Sequence, residues 1–147
     1  MIVHLLEFLA TLFAGTFAGA ALYINVAEHP ARLACDTRTA ASQWAPSYKR
    51  ATLMQAPLAV LSFVCGTVAW LFGAGIQWLC AAVLIGLVVP FTLLVIAGTN
   101  RQLLETGRDL SSDATRALLV RWGRLHAVRT LLSLGAFVWD LSLLGSQ

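Results

Sequence analysis

The sequence predicts an all-α integral membrane protein. The expected form is one four-span helical bundle over residues 1–147, with two long cytoplasmic loops and both termini on the non-cytoplasmic side. Three observations lead there. Of the 147 residues, 59% are hydrophobic and only 12% charged, whereas soluble domains carry about a quarter charged residues. Four apolar runs each match the roughly 20 residues that a helix needs to cross hydrocarbon. Finally, all 10 Lys and Arg fall in two segments or just beyond the second.

The first run, at about 5–27, begins "MIVHLLEFLATLFAG". It lacks the Lys or Arg of a signal-peptide n-region and carries Glu7, so it reads as a retained span. Within it, "AGTFAGA" sets Gly15 and Gly19 four apart, a spacing that lets helix backbones approach closely, either inside the bundle or in a homo-oligomer. The second and third runs, about 53–73 and 76–99, are joined only by "GAGIQ", a tight hairpin with Gly73 and Gly75 free to take unusual angles. Pro57 and Pro90 should bend these two helices. The fourth run is about 124–144.

The connections at about 30–52 and 101–123 hold Arg32, Arg38, Lys49, Arg50, Arg101, Arg108, Arg116 and Arg121, while Arg124 and Arg129 follow in the first turns of the fourth helix. Four alternating crossings bring both connections to one face. The positive-inside rule makes that face cytoplasmic, in an inner (plasma) membrane of bacterial type. Glu7 and Asp140 belong to the opposite face, where each reaches the interface or finds a partner, and His4 reads as incidental. A net charge of +3 and pI near 9.1 in so apolar a chain point to lipid headgroups. No nucleic-acid motif is present. Cys35, Cys65 and Cys80 form no CxxC pair and read as small buried hydrophobes. P-loop, GxGxxG, GxSxG and CxxCH patterns are absent.

The chemistry-bearing residues gather where helices end. In "ALYINVAEHPARL", Asn25, His29 and Arg32 share a helical face, Glu28 reaches Arg32 at i,i+4, and Pro30 reads as a helix stop. Tyr48, Thr52, Gln55, Ala59 and Ser62 form a second stripe, and Trp122, His126, Arg129 and Ser133 a third. Polar stripes avoid lipid, so these predict a polar pocket at the cytoplasmic mouth, with Asn100 nearby and Trp70, Trp78 and Trp139 as deeper apolar walls. Plainer readings compete: an interfacial ion pair for Glu28 and Arg32, and an aromatic belt for Trp44. His29, His126 and Glu28 are the one set that offers a metal such as copper or iron its ligands. With no HxxxH or ExxH pair on one helix, a metal-free hydrogen-bonded network is the default.

The blocks "FAGAALYINVAEHPARL", "WAPSYKRATLMQAPLAV", "PFTLLVIAGTNRQLL" and "WGRLHAVRTLLSLGAF" together resemble the anthrone oxygenase-like family of small four-span membrane proteins. By motif position the resemblance implies Glu28, His29, Arg32, Tyr48, Arg50, Asn100, Trp122, His126 and Arg129 as site residues; Gly98 stands where proline is expected in many relatives. It also implies an oxidoreductase acting with dioxygen on a lipophilic anthrone, quinol or phenol, with no familiar cofactor. In that expectation His126 is the base, Arg129 and Asn100 steady the enolate oxygen, and Tyr48 or His29 orients the ring. Glu28, Arg32, Arg50 and Trp122 complete the binding set. The alternative is a noncatalytic membrane protein that binds a small molecule, an anionic lipid or a partner subunit through the same arginines.

Overall fold

Apolar length decides the architecture. The computed structural model describes residues 1–146. It contains four helices long and apolar enough to cross a membrane: α1, Ile2–Ala34; α2, Thr37–Leu71; α3, Ile76–Leu103; and α4, Asp113–Leu144. Each packs against two others in a closed ring, α1 on α2 and α4, α3 on α2 and α4. The order is antiparallel, so the α1/α2 and α3/α4 junctions share one end.

The helices overrun their predicted limits, and this corrects the expectation of two long loops. Only Cys35 and Asp36 separate α1 from α2. Asp36 stops the connection from growing: its extended backbone and carboxylate cap α2, accepting the Thr39 amide at 3.0 Å and the Thr39 hydroxyl at 2.7 Å. Those bonds from Thr39 hold the Asp36 carboxyl below its usual pKa. Residues 37–52, read from hydropathy as loop, are an amphipathic helical extension that buries Ala40, Ala41 and Trp44. Arg116 of α4 then ties the junction by donating to the carbonyls of Leu33 and, at 3.0 Å, Cys35, which α1 leaves open at its C-terminus.

Pro30 does not stop α1. The helix opens into a π turn over Ile24–Glu28, where the His29 amide reaches back five residues to the Ile24 carbonyl, and resumes over His29–Ala34. The extra residue in that turn absorbs the ring clash that proline imposes on a regular helix. Pro90 behaves comparably, lying between a break at Leu87 and a second π turn over Thr92–Ile96. Between α2 and α3, Gly73 takes φ +98°, which only glycine adopts without strain.

Small residues set the helix spacing. Ala10, Ala14, Ala18 and Ala21 on α1 are buried, with Phe17 filling the centre. Gly15 packs on Phe137 within the bundle, whereas Gly19 is exposed and has nothing near it. The pair therefore does not form one shared stripe. Trp78 is buried but Trp139 is 40% exposed, because position 139 falls off the inward series 126, 130, 133, 136 and 140. It is not an inner wall. Glu7 is buried and pairs with His4 Nδ1 at 3.0 Å, so His4 has a structural partner. Of the cysteines only Cys65 is buried; Cys35 and Cys80 are exposed, Cys35 at the α1/α2 junction and Cys80 on an outward face of α3.

A methyl group added at Gly66 would meet Ala82 Cβ at 2.9 Å and the Trp78 carbonyl oxygen at 3.3 Å. Gly66→Leu is therefore expected to destabilise by about 1–3 kcal/mol or more through overpacking. Gly19→Ala should leave the thermal midpoint in detergent unchanged or slightly raised, since alanine favours helix by about 1 kcal/mol over glycine.

Candidate functional site

The site is built where α1, α2, α3 and α4 converge at the basic end. Asn25, at the start of the π turn, is the link between α1 and α4. Its Nδ2 donates to the Gly123 carbonyl at 3.1 Å, and its Oδ1 accepts from Thr130 Oγ1 at 2.6 Å. The same oxygen lies 2.7 Å from His126 Nδ1. His126 is 1% exposed. Its Nε2 has no hydrogen-bond partner among the described residues.

His29 is anchored independently. Arg32 Nη1 lies 3.1 Å from His29 Nδ1, and because guanidinium only donates, Nδ1 must accept. Nε2 then carries the hydrogen and donates to the Leu119 carbonyl at 3.0 Å. Both nitrogens are occupied. Gly123 makes this approach feasible, since a Cβ there would fall 2.5 Å from His29 Cδ2 and 2.6 Å from Nε2.

Arg32, 6% exposed, spends its donors on four partners: His29, Glu28, Gln43 and Ser47. Ser47 in turn donates to Glu28. The Glu28–Arg32 pair is therefore more than an isolated ion pair: the buried guanidinium sits in a network of hydrogen bonds, while Glu28, half-buried, keeps an edge on the groove outside. Gln43 and Ser47 were invisible to hydropathy because they lie on the helical extension read as loop. Gly123 had a readable signal: glycine inside a helix costs about 1 kcal/mol relative to alanine and marks a close approach.

Aromatic rings join the two halves. Trp122 lies between His29 and His126, with centroids 5.1 and 4.8 Å away. Its neighbour Trp44 meets it edge-on at 5.7 Å and stacks on Tyr48 at 5.0 Å. Trp44 is 1% exposed and so belongs to the interior, not to an interface belt, because the α2 extension turns it inward. Tyr48 accepts from Asn100 Nδ2 at 3.1 Å. Arg129 donates to Gln55 Oε1 at 3.0 Å, with its guanidinium 5.5 Å from the Phe17 ring centroid.

Eight of the nine expected positions thus gather: Glu28, His29, Arg32, Tyr48, Asn100, Trp122, His126 and Arg129. Arg50 does not; it is exposed on α2, whereas Thr52, whose hydroxyl bonds back to the Tyr48 carbonyl, reaches the rim of the cavity described next. Glu28, Arg32, Tyr48, Gln55, His126 and Arg129 border a cavity of about 10 Å³, the space of roughly one water. An open groove of about 480 Å³ lies between α1 and the α2 extension, along Tyr23, Ala27 and Ala31 on one side and Gln43 on the other, and it too is bordered by Glu28 and Arg32. That pair stands between the two spaces.

The arrangement does not fit a metal held by His29, His126 and Glu28. Among the described residues no three His, Cys, Asp or Glu side chains come together as a ligand set. His29 has no free lone pair, and one Glu28 oxygen is bound by Arg32 and Ser47. A Gly123→Ala change should dislodge His29 from Leu119 and lower stability by about 1–3 kcal/mol, read from thermal unfolding in detergent.

The sequence profile of the anthrone oxygenase family matches residues 44–139. Those residues include Tyr48, Asn100, Trp122, His126 and Arg129, while Asn25, Glu28, His29 and Arg32 precede them. Anthrone oxygenase tpcL of Aspergillus fumigatus is 42% identical over 72 residues, a match covering 47% of this chain and 45% of that protein. The similarity thus spans less than half the length of this curated relative. No solved structure matches the chain. Because the profile covers α2 from its buried Trp44 through nearly all of α4, the chain belongs to the anthrone oxygenase family.

Proposed function

We propose that this protein is a membrane-embedded oxygenase acting on an anthrone-like, lipophilic aromatic substrate, with His126 as its general base. One observation carries the reading. A buried imidazole has one nitrogen held by Asn25 and the other unengaged, beside Arg129 and Tyr48 at a single cavity. A neutral imidazole with an unengaged ring nitrogen has the lone pair that a general base needs. The ring methylene of an anthrone is acidic, because loss of its proton places charge on the carbonyl oxygen.

In this reading His126 Nε2 takes that proton. Arg129, with the Tyr48 and Asn100 pair, stabilises the enolate oxygen. The carbanion carbon then forms a bond to dioxygen, giving a peroxide at that carbon. Loss of its remaining hydrogen and cleavage of the O–O bond make the second carbonyl. The methylene yields four electrons to dioxygen, one oxygen atom becoming the new carbonyl and the other water, so anthrone plus dioxygen gives anthraquinone plus water.

A three-ring substrate exceeds the 10 Å³ cavity. Displacing Glu28 and Arg32 would join that cavity to the 480 Å³ groove between α1 and α2. We propose this as the route by which substrate leaves the bilayer. The Glu28 end of the π turn lies beside it, where α1 already departs from regular bonding. The position of all 10 cations at or near this end supports placing it in the cytoplasm, with both termini outside.

The noncatalytic reading draws on a different observation, the exposed Arg38, Lys49, Arg101, Arg121 and Arg124 at the same end, which suit anionic headgroups. In it His126 only satisfies buried polar groups.

Purified protein in lipid vesicles should consume oxygen when given an anthrone such as emodin anthrone, and His126→Ala should lower kcat/KM by at least about 10²-fold. Unchanged uptake in that variant would remove the proposed base. For orientation, a membrane-impermeant maleimide should label the exposed Cys35 in inside-out vesicles and not in right-side-out vesicles; the reverse pattern would invert the topology.

A further inference from the structure

His126 is oriented by one side chain from another helix. Asn25 reaches it from α1, and the orientation of the Asn25 amide follows from its partners. The Gly123 carbonyl, 3.1 Å away, can only accept, so the amide nitrogen must face it. The amide oxygen therefore faces Thr130 Oγ1 at 2.6 Å and His126 Nδ1 at 2.7 Å. An oxygen has no hydrogen to give, so Nδ1 pairs with it only as N–H. His29, anchored by Arg32 and Leu119, is held in the opposite form, with its hydrogen on Nε2.

We propose that Asn25 is a positioning residue that fixes His126 as the Nδ1–H tautomer and so leaves Nε2 as the ring's free lone pair. The tautomer stands on the hydrogen bonds alone; its value for proton abstraction rests on the oxygenase reading above. Which ring nitrogen carries the proton is set by the bond that the other makes. Without Asn25, His126 would be free to turn its hydrogen to Nε2 and present no base to the cavity. A neutral amide does this without burying a carboxylate among apolar helices. It also holds α1 to α4 through Gly123, which a carboxylate cannot do, since two acceptors would then face each other.

The test reads the tautomer directly. Protein labelled with ¹⁵N-histidine, in nanodiscs, has three histidines, assignable by His4→Gln, His29→Gln and His126→Gln. Wild-type protein should show His126 protonated on Nδ1 and His29 protonated on Nε2. In Asn25→Leu, His126 should shift towards the Nε2–H form, and kcat for anthrone-dependent oxygen uptake should fall at least about 10-fold with KM little changed. Asn25→Asp keeps an acceptor and should keep the tautomer and part of the rate. Thr130→Val, which removes the second donor to Asn25 Oδ1, should keep the tautomer.

A wild-type His126 protonated on Nε2 would overturn the proposal, as would an Asn25→Leu protein with tautomer and rate unchanged. The wild-type and Asn25→Asp spectra decide the matter even where Asn25→Leu fails to fold. If wild-type protein oxidises no anthrone, the oxygenase reading fails. The spectra from the same sample still decide whether Asn25 sets the ring.

Discussion

Burying two imidazoles and a guanidinium among apolar helices is the constraint on which this site depends. Each N–H placed there without an acceptor costs about 1–3 kcal/mol, and hydrocarbon outside the bundle supplies none. The chain meets much of the demand across helices, with Glu28 and His29 taking two of Arg32's donors within α1, and leaves Trp44 Nε1, Gln55 Nε2 and Arg129 Nε without a partner among the described residues. His29 on α1 uses the Leu119 carbonyl of α4, Asn25 uses Gly123, and Arg32 draws on Gln43 and Ser47 of α2. These bonds tie α1 to its neighbours at the basic end, while alanine and glycine contacts set the spacing farther along.

The same constraint explains the local irregularities. Asn25 and His29 stand four apart across a π turn whose added residue adjusts the face on which each side chain points. Gly123 lacks a side chain because the His29 ring occupies the space where its Cβ would lie. Arg116 secures the short α1/α2 junction from outside. Stability and the geometry of the candidate base are therefore not separable here, and changes at these positions should act on both.

Much of this was legible in the sequence because hydrophobicity and helical spacing carry it. Four long apolar helices were readable from run length, and the stripes through His29, Gln55 and His126 from their three- and four-residue spacing. The family followed from the helix-end blocks. What escaped had physical causes. Hydropathy records where a helix meets lipid and not where it ends, so residues 37–52 read as loop and Trp44 as belt. Pro30 read as a stop because proline breaks regular helices, and a π turn is not visible in composition. Trp139 shows the limit of counting aromatics without helical phase. Asn25 was on the correct face, but its three bonds join residues about 100 positions apart, beyond any local pattern.

The central claim is that these helix ends assemble a base-bearing cavity for a flat aromatic, reached by displacing Glu28 and Arg32. An experimental structure of the protein in nanodiscs with an anthraquinone product bound would test it most directly. The account predicts a planar ligand against the Trp122 and Trp44 rings, its reacting carbon side near His126 Nε2, with the Glu28–Arg32 pair moved aside. A ligand seated elsewhere, with that pair intact and His126 untouched, would contradict it.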